Sequence, residues 1–458
     1  MLKTFLLILL MSALTASGQN LNKLSVADKI YGLSKFWQEV NYNFVYFNRI
    51  DKSKWDSLYK SMLDSVQKTS NDYEYYRDLQ KFAAYLKDGH TDIDFPEFIY
   101  NEIYTSRFGE HRFFTKNING KAIIIQTNLS KKNEIPVGTE ILEINGLSTQ
   151  DYINKNVAPY ISASTEYDLQ DQATSQLFTG LKGDEYFIKI KTLDNKIKSL
   201  KIIHAETTEQ ELYPPAESFQ LLKFKWYDNH IAYCALNSFE DTKIDSLFTA
   251  LLPELTKTKA LIIDLRKNGG GNTDIGLNIL KYLTNDTLFY GSKSFTRLLN
   301  STYKAWGKFV TPADTINNGD NLKYYQTYHG NNFYEFPYSF DTIKHRDTTI
   351  VIPTAILIGH GTSSAAEDFL IYADKEKHMI KIGENSHGST GQPLMFDLPG
   401  GGAARVCTKK DTYPDGCEFV GYGVKPDIEI KETVNDFINN NDPVIKKAIE
   451  YLTMKIKR

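Results

Sequence analysis

The sequence contains few cysteines and no excess of charge of either sign. Only three of its 458 residues are cysteine, and their spacing matches no zinc-binding or Cys-x-x-Cys pattern. The 53 basic residues are balanced by 56 acidic ones, which excludes a broad basic face for nucleic acid and an acidic disordered tail. Glycine and proline are too sparse for a collagen-like or low-complexity chain. The composition is that of a globular protein, long enough for about three domains.

Long hydrophobic runs are also missing, except for one at the N-terminus. There the basic residue Lys3 precedes an apolar run from Phe5 to Leu14, and small residues follow it. This run is shorter than the roughly 20 residues of a membrane-spanning helix, and its order of regions is typical of a secretory signal peptide. We therefore predict a signal peptide over 1–18. The mature protein is expected to be exported, periplasmic or extracellular, without a membrane span.

In an exported protein, three cysteines allow one disulfide and one free thiol. Cys407 and Cys417 flank a polar, turn-rich stretch, and they can bridge a hairpin if their Cα atoms come within about 6–7 Å. Cys234 lies in an apolar run and is expected to be a buried small hydrophobic residue.

The periodicity of the apolar residues changes twice along the chain. From about residue 24 to 86, steps of three and four residues predict helices. From about 108 to 204, short strands alternate with turns, including Asn145-Gly146. From about 221 onward, strands alternate with helices, which predicts an α/β core with a largely parallel sheet. The aromatic, poorly periodic segment from about Thr296 to Asp347 is expected to be an insertion or a long loop.

The first of two strand–turn–helix junctions contains a glycine cluster. In IIDLRKNGGGNTD, a buried strand leads into the turn of Gly269–Gly271. Glycines let backbone N–H groups face a ligand, and N–H groups held at a helix start can bind a developing oxyanion. The turn lacks the ending of a phosphate loop and the spacing of a dinucleotide fingerprint. A plain tight turn is the alternative, and nucleotide binding is disfavoured because only Arg266 and Lys267 are basic nearby.

The second junction contains a serine. In ILIGHGTSSAAEDF, Ser364 follows a buried strand and begins a helix, a placement that suits a nucleophile. Ser364 and Glu367 also form the pattern of a helix-capping box, which is the structural alternative. A serine nucleophile needs a base, and two loop histidines are candidates: His90, in a turn between elements, and His387, after an apparent strand. The residues alone leave both open, and a merely solvated histidine is the alternative to either.

These motifs, in this order, resemble the C-terminal processing (tail-specific) serine peptidases and their tricorn-like relatives. IIDLRKNGGGN resembles their strand and glycine-rich turn, GHGTSSAAEDF their nucleophile segment, and GYGVKPDIEI their closing motif. IPVGTEILEINGLS resembles the strand pattern of an embedded PDZ domain, with Thr139 at a position where Asp is usual. The resemblance implies an α/β fold with a crotonase/ClpP-like core over 206–458. It also implies a small β-rich PDZ-like domain over 106–205 and an N-terminal helical region over 19–105.

The resemblance also implies catalytic roles. Ser364 is the expected nucleophile, and the backbone N–H groups of Gly269 or Gly270, together with that of Ala365, are expected to form the oxyanion hole. MIKIGENSHGSTGQ resembles the family's next motif, G-E-x-T-x-G, with Ser386 in the place of the threonine. The processing branch has a catalytic lysine directly after the last glycine of this motif, and this chain has Ser389 there.

The tricorn-like branch uses an upstream histidine instead of that lysine. LKDGHTDI resembles its histidine segment, so His90 is the expected general base. That branch has a serine immediately before the histidine, where this chain has Gly89. Its acid falls near Val420, and Glu418, two residues away, is the acid expected to orient His90. Asp88 and Glu384 are the alternatives for that role.

We therefore predict a serine-type endopeptidase or C-terminal-processing-like peptidase that hydrolyses protein or peptide substrates through an acyl-enzyme. Neither a metal nor an organic cofactor is expected. The PDZ-like domain is expected to capture a substrate peptide as an added strand. Two alternatives stay open: a catalytically inactive peptide-binding protein that keeps the peptidase fold, and a peptidase that uses His387 in place of His90.

Overall fold

The computed structural model describes residues 21–342 and 348–457. The predicted signal peptide over 1–18 lies outside the described residues. Within the described ranges, no helix is both long and apolar enough to cross a membrane.

The N-terminal part of the described chain is helical, as its periodicity predicts. It contains α1 (Val26–Asn43), α2 (Lys52–Val66), α3 (Asp72–Ala84), the short strand β1 (Asp92–Asp94) and α4 (Glu97–Tyr100). Aromatic residues hold the helices together: the buried rings of Trp55 and Phe82 stack with their centroids 4.2 Å apart. His90 lies in the short connection between α3 and β1, so packed elements hold its loop on both sides.

The middle of the chain is built mainly from antiparallel strands. Its elements are β2 (Ile103–Tyr104), β3 (Arg107–Phe108), β4 (His111–Ile118), β5 (Lys121–Asn128), β6 (Glu140–Ile144), β7 (Leu147–Ser148), α5 (Thr149–Tyr152), α6 (Glu166–Ser175), β8 (Gly180–Leu181), β9 (Glu185–Lys191), β10 (Ile197–Ile203) and β11 (Leu212–Tyr213). The order β10-β9-β6-β5-β4-β3 forms the main sheet. The predicted Asn145-Gly146 turn joins β6 to β7, and both of its residues have positive φ, which this turn type requires.

The C-terminal part alternates strands and helices, as predicted. Its elements are β12 (Leu222–Tyr227), β13 (Ile231–Leu236), α7 (Lys243–Leu255), β14 (Ala260–Asp264), α8 (Thr273–Leu280), β15 (Leu288–Phe289), β16 (Lys293–Arg297), α9 (Ser301–Gly307), α10 (Gly319–His329), β17 (Phe333–Glu335), β18 (Asp341–Thr342), β19 (Thr354–Ile358), α11 (Ala365–Ala373), β20 (Met379–Gly383), β21 (Pro393–Asp397), β22 (Ala403–Cys407), β23 (Lys410–Thr412), β24 (Ile428–Glu429), α12 (Val434–Ile438) and α13 (Pro443–Ile456).

A six-stranded sheet of order β12-β13-β14-β19-β20-β24 forms the centre of this part. All neighbours beyond β12 are parallel, which confirms the largely parallel sheet. Alternate residues point to opposite faces: Leu261 and Ile263 join the core that includes α7, α8 and α11. Ile262 points to the other face, where it packs in a second core with α13 residues such as Leu452. Because both faces are covered, these strands have continuous apolar sequences.

Two expectations from the sequence need adjustment. The segment from Thr296 to Asp347, expected to be an insertion or a loop, contains α9, α10 and short strands in its described part. Cys407 and Cys417 are not bridged, since Cys407 is buried at the end of β22 and Cys417 is exposed. Cys234 is buried in β13, as predicted.

Candidate active site

The two junctions singled out from the sequence lie side by side at one edge of the central sheet. β14 and β19 are adjacent and parallel, so their carboxyl ends meet, where open α/β sheets place their ligands. Backbone hydrogen bonds join the two turns: the Ser363 N–H donates to the Asn268 carbonyl at 3.0 Å. A Cβ added at Gly270 would lie only 2.7 Å from the Cβ of Ser364. The structure therefore brings the glycine turn and Ser364 into direct contact.

Ser364 has a backbone conformation that is rare for a residue with a side chain. Its φ of 55° and ψ of −122° place it between β19 and α11, in a turn from strand to helix. Such outliers persist only where the surroundings enforce them, and they cluster at functional sites. A strained strand-to-helix turn is also the geometry that exposes a nucleophilic serine in other α/β enzymes. The backbone strain at this position supports a functional role for Ser364.

The predicted oxyanion-hole donors differ in how they are engaged. The Gly270 N–H donates to the side-chain oxygen of Asn268 at 2.9 Å, so this N–H is already paired. Within residues 21–342 and 348–457, neither the Gly269 N–H nor the Ala365 N–H has a protein acceptor. Ala365 is the first residue of α11, where the helix dipole favours negative charge. Of the predicted donors, Gly269 and Ala365 therefore have N–H groups left for a ligand.

A buried carboxylate, Glu367, links the serine turn to the loop that follows β20. Its Oε2 accepts hydrogen bonds from the N–H groups of Ser364 and Ser389, both at 3.2 Å. Its Oε1 accepts from the Gly388 N–H at 2.7 Å and from the Ser386 hydroxyl. Burial raises the pKa of Glu367 to about 7, and the hydrogen bonds that it accepts act in the opposite direction. The capping pattern seen in the sequence is thus part of a wider network.

His90 contacts a serine and not an acid. Its Nδ1 lies 2.6 Å from the hydroxyl oxygen of Ser389. In the described part of the chain, no Asp or Glu oxygen lies within ion-pair distance of the His90 ring. The same Ser389 accepts the Ser364 N–H through its carbonyl at 3.3 Å. Ser389 is therefore a shared neighbour of the expected nucleophile and the expected base.

The surroundings of His90 favour its neutral form. Burial lowers the pKa of His90 to about 4, and the positive charges of Arg405, His387 and Lys409 act in the same direction. Arg405 lies beside the histidine loop, where its guanidinium donates to the Gly89 carbonyl at 3.4 Å. A neutral imidazole is the form that can accept a proton.

His387, the alternative base, does have an acid beside it. Its Nδ1 lies 3.2 Å from Oδ1 of Asp168, a buried residue of α6, and 3.2 Å from the His360 carbonyl. Burial alone would lower the pKa of His387, but the hydrogen bond and charge of Asp168 hold it above its usual value. The Nε2 of His387 lies near the loop that carries His90, 3.3 Å from the place that a Cβ on Gly89 would take.

None of the three acids considered for orienting His90 contacts its ring among the described residues. Glu418 pairs with Arg49 at 2.8 Å and with Lys410, one carboxylate oxygen each. Asp88 is buried and accepts the hydroxyl of Thr91 at 2.6 Å. Glu384 lies 3.9 Å from Nε2 of His360.

Sequence reasoning missed two contacts of this site. The Ser389 hydroxyl on His90 had one sequence signal, because residue 389 occupies the position where the resemblance expects a catalytic lysine. The pairing of His387 with Asp168 had no signal, since Asp168 lies on a helix of the middle part of the chain, far away in sequence.

Part of the chain is similar to a known family. Residues 230–430, a little less than half of the chain, match Peptidase family S41. This segment includes both junctions and Ser389, but not His90. No curated protein sequence matches the chain.

Solved structures share the fold over almost the whole chain. Mature CPAF is 15% identical with a TM-score of 0.66, and the match covers 93% of this chain and 96% of CPAF. CPAF complexed with lactacystin is also 15% identical, with a TM-score of 0.63 and coverage of 94% and 98%. The photosystem II D1 C-terminal processing protease is 16% identical, with a TM-score of 0.44 and coverage of 88% and 93%. The match over residues 230–430 confirms the expected resemblance to peptidases of family S41, and the structure has the expected mixed α/β fold.

Proposed function

We propose that the protein is an exported serine peptidase whose nucleophile is Ser364 and whose general base is His90. The observation that carries this proposal is the strained Ser364 at the carboxyl edge of the sheet, with its backbone N–H and His90 both bonded to Ser389. The family match supports peptide-bond hydrolysis as the reaction.

In the proposed mechanism, the Ser364 hydroxyl gives its proton to Nε2 of His90 as its oxygen bonds to the scissile carbonyl carbon. The electron pair of the carbonyl moves onto oxygen, which the N–H groups of Gly269 and Ala365 stabilise. The imidazolium of His90 then protonates the leaving amine as the C–N bond breaks. A water molecule, deprotonated by His90, hydrolyses the acyl-enzyme by the same steps.

The test is covalent labelling of the mature protein with a fluorophosphonate probe. We expect Ser364→Ala and His90→Ala to lose labelling while they keep the unfolding temperature of the wild type. Ser363→Ala, the neighbouring serine, and His329→Ala, an exposed histidine of α10, are matched controls that are expected to label normally. Labelling of Ser364→Ala would rule out Ser364 as the nucleophile.

His387→Ala separates the two candidate bases. If His387→Ala abolishes labelling and His90→Ala does not, the base is His387, oriented by Asp168. Lactacystin, which forms a complex with mature CPAF, provides a competitor: slower labelling in its presence would show that it occupies the same site. A folded wild type that never labels, but still binds peptides, would support the inactive peptide-binding alternative.

We further propose that residues 206–458 form a crotonase/ClpP-like core and residues 106–205 a PDZ-like domain that captures the C-terminus of a substrate. The antiparallel sheet with two short helices supports the second assignment. Pull-down of the Ser364→Ala protein with free-acid and C-terminally amidated peptides tests the capture. Equal recovery with both peptides would contradict carboxylate recognition.

Export rests on the N-terminal sequence alone. We propose cleavage after residue 18, which N-terminal sequencing of the protein recovered outside the cytoplasm would detect. An intact N-terminus on active protein would contradict it.

A further inference from the structure

The base proposed above lacks the acid that orients a histidine in a Ser–His–acid triad. In such a triad, a carboxylate accepts the Nδ1–H of the histidine, which fixes the tautomer and leaves Nε2 free to take the serine proton. Among the described residues, the His90 ring has no carboxylate partner, and the charges that act on it are those of Arg405, His387 and Lys409. Some other group must therefore fix its ring.

Ser389 meets the geometric requirements for that task. Its hydroxyl oxygen lies 2.6 Å from Nδ1 of His90, a short hydrogen bond. Its side chain is fully buried, so water does not compete for the contact. In the tautomer that base catalysis needs, Nδ1 carries the proton and donates it to the Ser389 oxygen.

The backbone of Ser389 is held from both sides. Its N–H donates to Glu367 Oε2, and its carbonyl accepts the Ser364 N–H at 3.3 Å. Because one residue contacts both the nucleophile and the base, its position sets the distance between them. A small shift of such a group is costly in rate.

The residue before His90 makes room for this contact. A Cβ on Gly89 would lie 3.0 Å from the hydroxyl oxygen of Ser389 and 3.4 Å from its Cβ. A side chain at position 89 would therefore crowd the Ser389 hydroxyl, and glycine at this position leaves the hydroxyl room to contact His90.

We propose that Ser389 is the positioning residue of the reaction, a neutral hydrogen-bond acceptor that holds His90 in place of an acid. This inference rests on the proposed function. It adds that the hydroxyl is needed for its contact with the ring, and that Gly89 is needed to leave space for the hydroxyl.

A double-mutant cycle on the rate of fluorophosphonate labelling tests the proposal. We expect Ser389→Ala to lower the labelling rate about 10- to 100-fold, the effect of losing one well-placed hydrogen bond. Gly89→Ala should lower it as well, because its methyl group displaces the hydroxyl. In the Ser389→Ala background the shortest contact, to the hydroxyl, is gone and only those to Nε2 of His387 and the Cβ of residue 389 remain, so Gly89→Ala should have a much smaller further effect. Additive losses, or a wild-type rate for Ser389→Ala, would overturn the proposal.

A spectroscopic readout separates positioning from a loss of packing. The ¹⁵N chemical shifts of the His90 ring report which nitrogen carries the proton. They should show an Nδ1–H tautomer in the wild type and a loss of that preference in Ser389→Ala. A slower Ser389→Ala variant with an unchanged tautomer would contradict the proposal. Ser65→Ala removes a hydrogen bond of equal length, 2.6 Å from α2 to Asp78 of α3, that involves none of the site residues; it should change neither readout.

The two failures are distinguishable. If the wild type is never labelled but its His90 is an Nδ1–H tautomer that Ser389→Ala abolishes, the proposed function fails and the contact stands. If the wild type is labelled and Ser389→Ala is labelled equally fast, the function stands and the positioning role fails.

Discussion

Replacing Gly270 by alanine probes how tightly the glycine turn holds Ser364. Gly270 is buried with a φ of 101°. An added Cβ would lie 2.7 Å from the Cβ of Ser364, 2.8 Å from the Ser363 carbonyl oxygen and 3.0 Å from the Ala365 nitrogen. Carbon atoms in contact normally stay about 3.5–4.0 Å apart. Ser364 or the glycine turn must therefore move by about 1 Å to accommodate the methyl group.

The expected cost has two parts. Forcing a methyl group into a packed site costs about 1–3 kcal/mol, and a positive φ on a residue with a side chain adds about 1–2 kcal/mol. A displacement of about 1 Å at a catalytic group lowers the rate roughly 100-fold. We expect Gly270→Ala to have a free energy of unfolding about 2–5 kcal/mol lower than the wild type. We also expect it to react with the fluorophosphonate probe about 100-fold more slowly.

Gly183→Ala is the matched control, because its φ is 94° and no atom lies within 4 Å of the added Cβ. This variant has the backbone strain without the clash, so it should lose about 1–2 kcal/mol of stability and label at the wild-type rate. Urea unfolding and labelling kinetics measure both quantities. Equal labelling rates for Gly270→Ala and Gly183→Ala would refute the tight contact between the glycine turn and Ser364.

Three further predictions follow from the buried charges. Both carboxylate oxygens of Glu367 accept backbone N–H groups, so the NH₂ group of a glutamine would face N–H donors in either orientation. Urea unfolding of Glu367→Gln should therefore show a free energy of unfolding lower by about 1–3 kcal/mol for each N–H left unpaired. If His90 is the base, its pKa of about 4 predicts a labelling rate that stays constant as the pH falls and drops only when the pH nears that value. A fall in labelling already above about pH 6.5 would assign the base to His387, whose pKa is raised. Arg266→Met leaves the buried carboxylate of Asp264 without its partner at 2.6 Å and should cost about 3–5 kcal/mol in urea unfolding.

The core was predictable because its signals are local. The continuous apolar runs of β14 and β19 indicate strands covered on both faces, and parallel neighbours place their carboxyl ends together. The glycine turn and Ser364 follow these strands directly, so their proximity follows from the order of elements. The helices α9 and α10 gave no clear period, since their aromatic side chains are half-buried or exposed and no fully buried face repeats.

The environment of the base was not predictable from local signals. His90 and Ser389 are 299 residues apart in sequence, and a hydroxyl in a loop has many ordinary roles. Glu418 was expected near His90 from its spacing to the closing motif, but the structure pairs it with Arg49 and Lys410. Sequence spacing within a loop does not determine which basic side chain an acid meets.

The two departures from the processing-branch pattern, a serine at position 389 and a histidine at position 90, are linked by their shared space. The Ser389 side chain is fully buried, and its hydroxyl contacts the His90 ring directly. A longer side chain that left position 389 in the same direction would meet the His90 ring. A lysine at 389 and a histidine at 90 would thus compete for the same space, and the absence of the lysine does not by itself argue for an inactive protein.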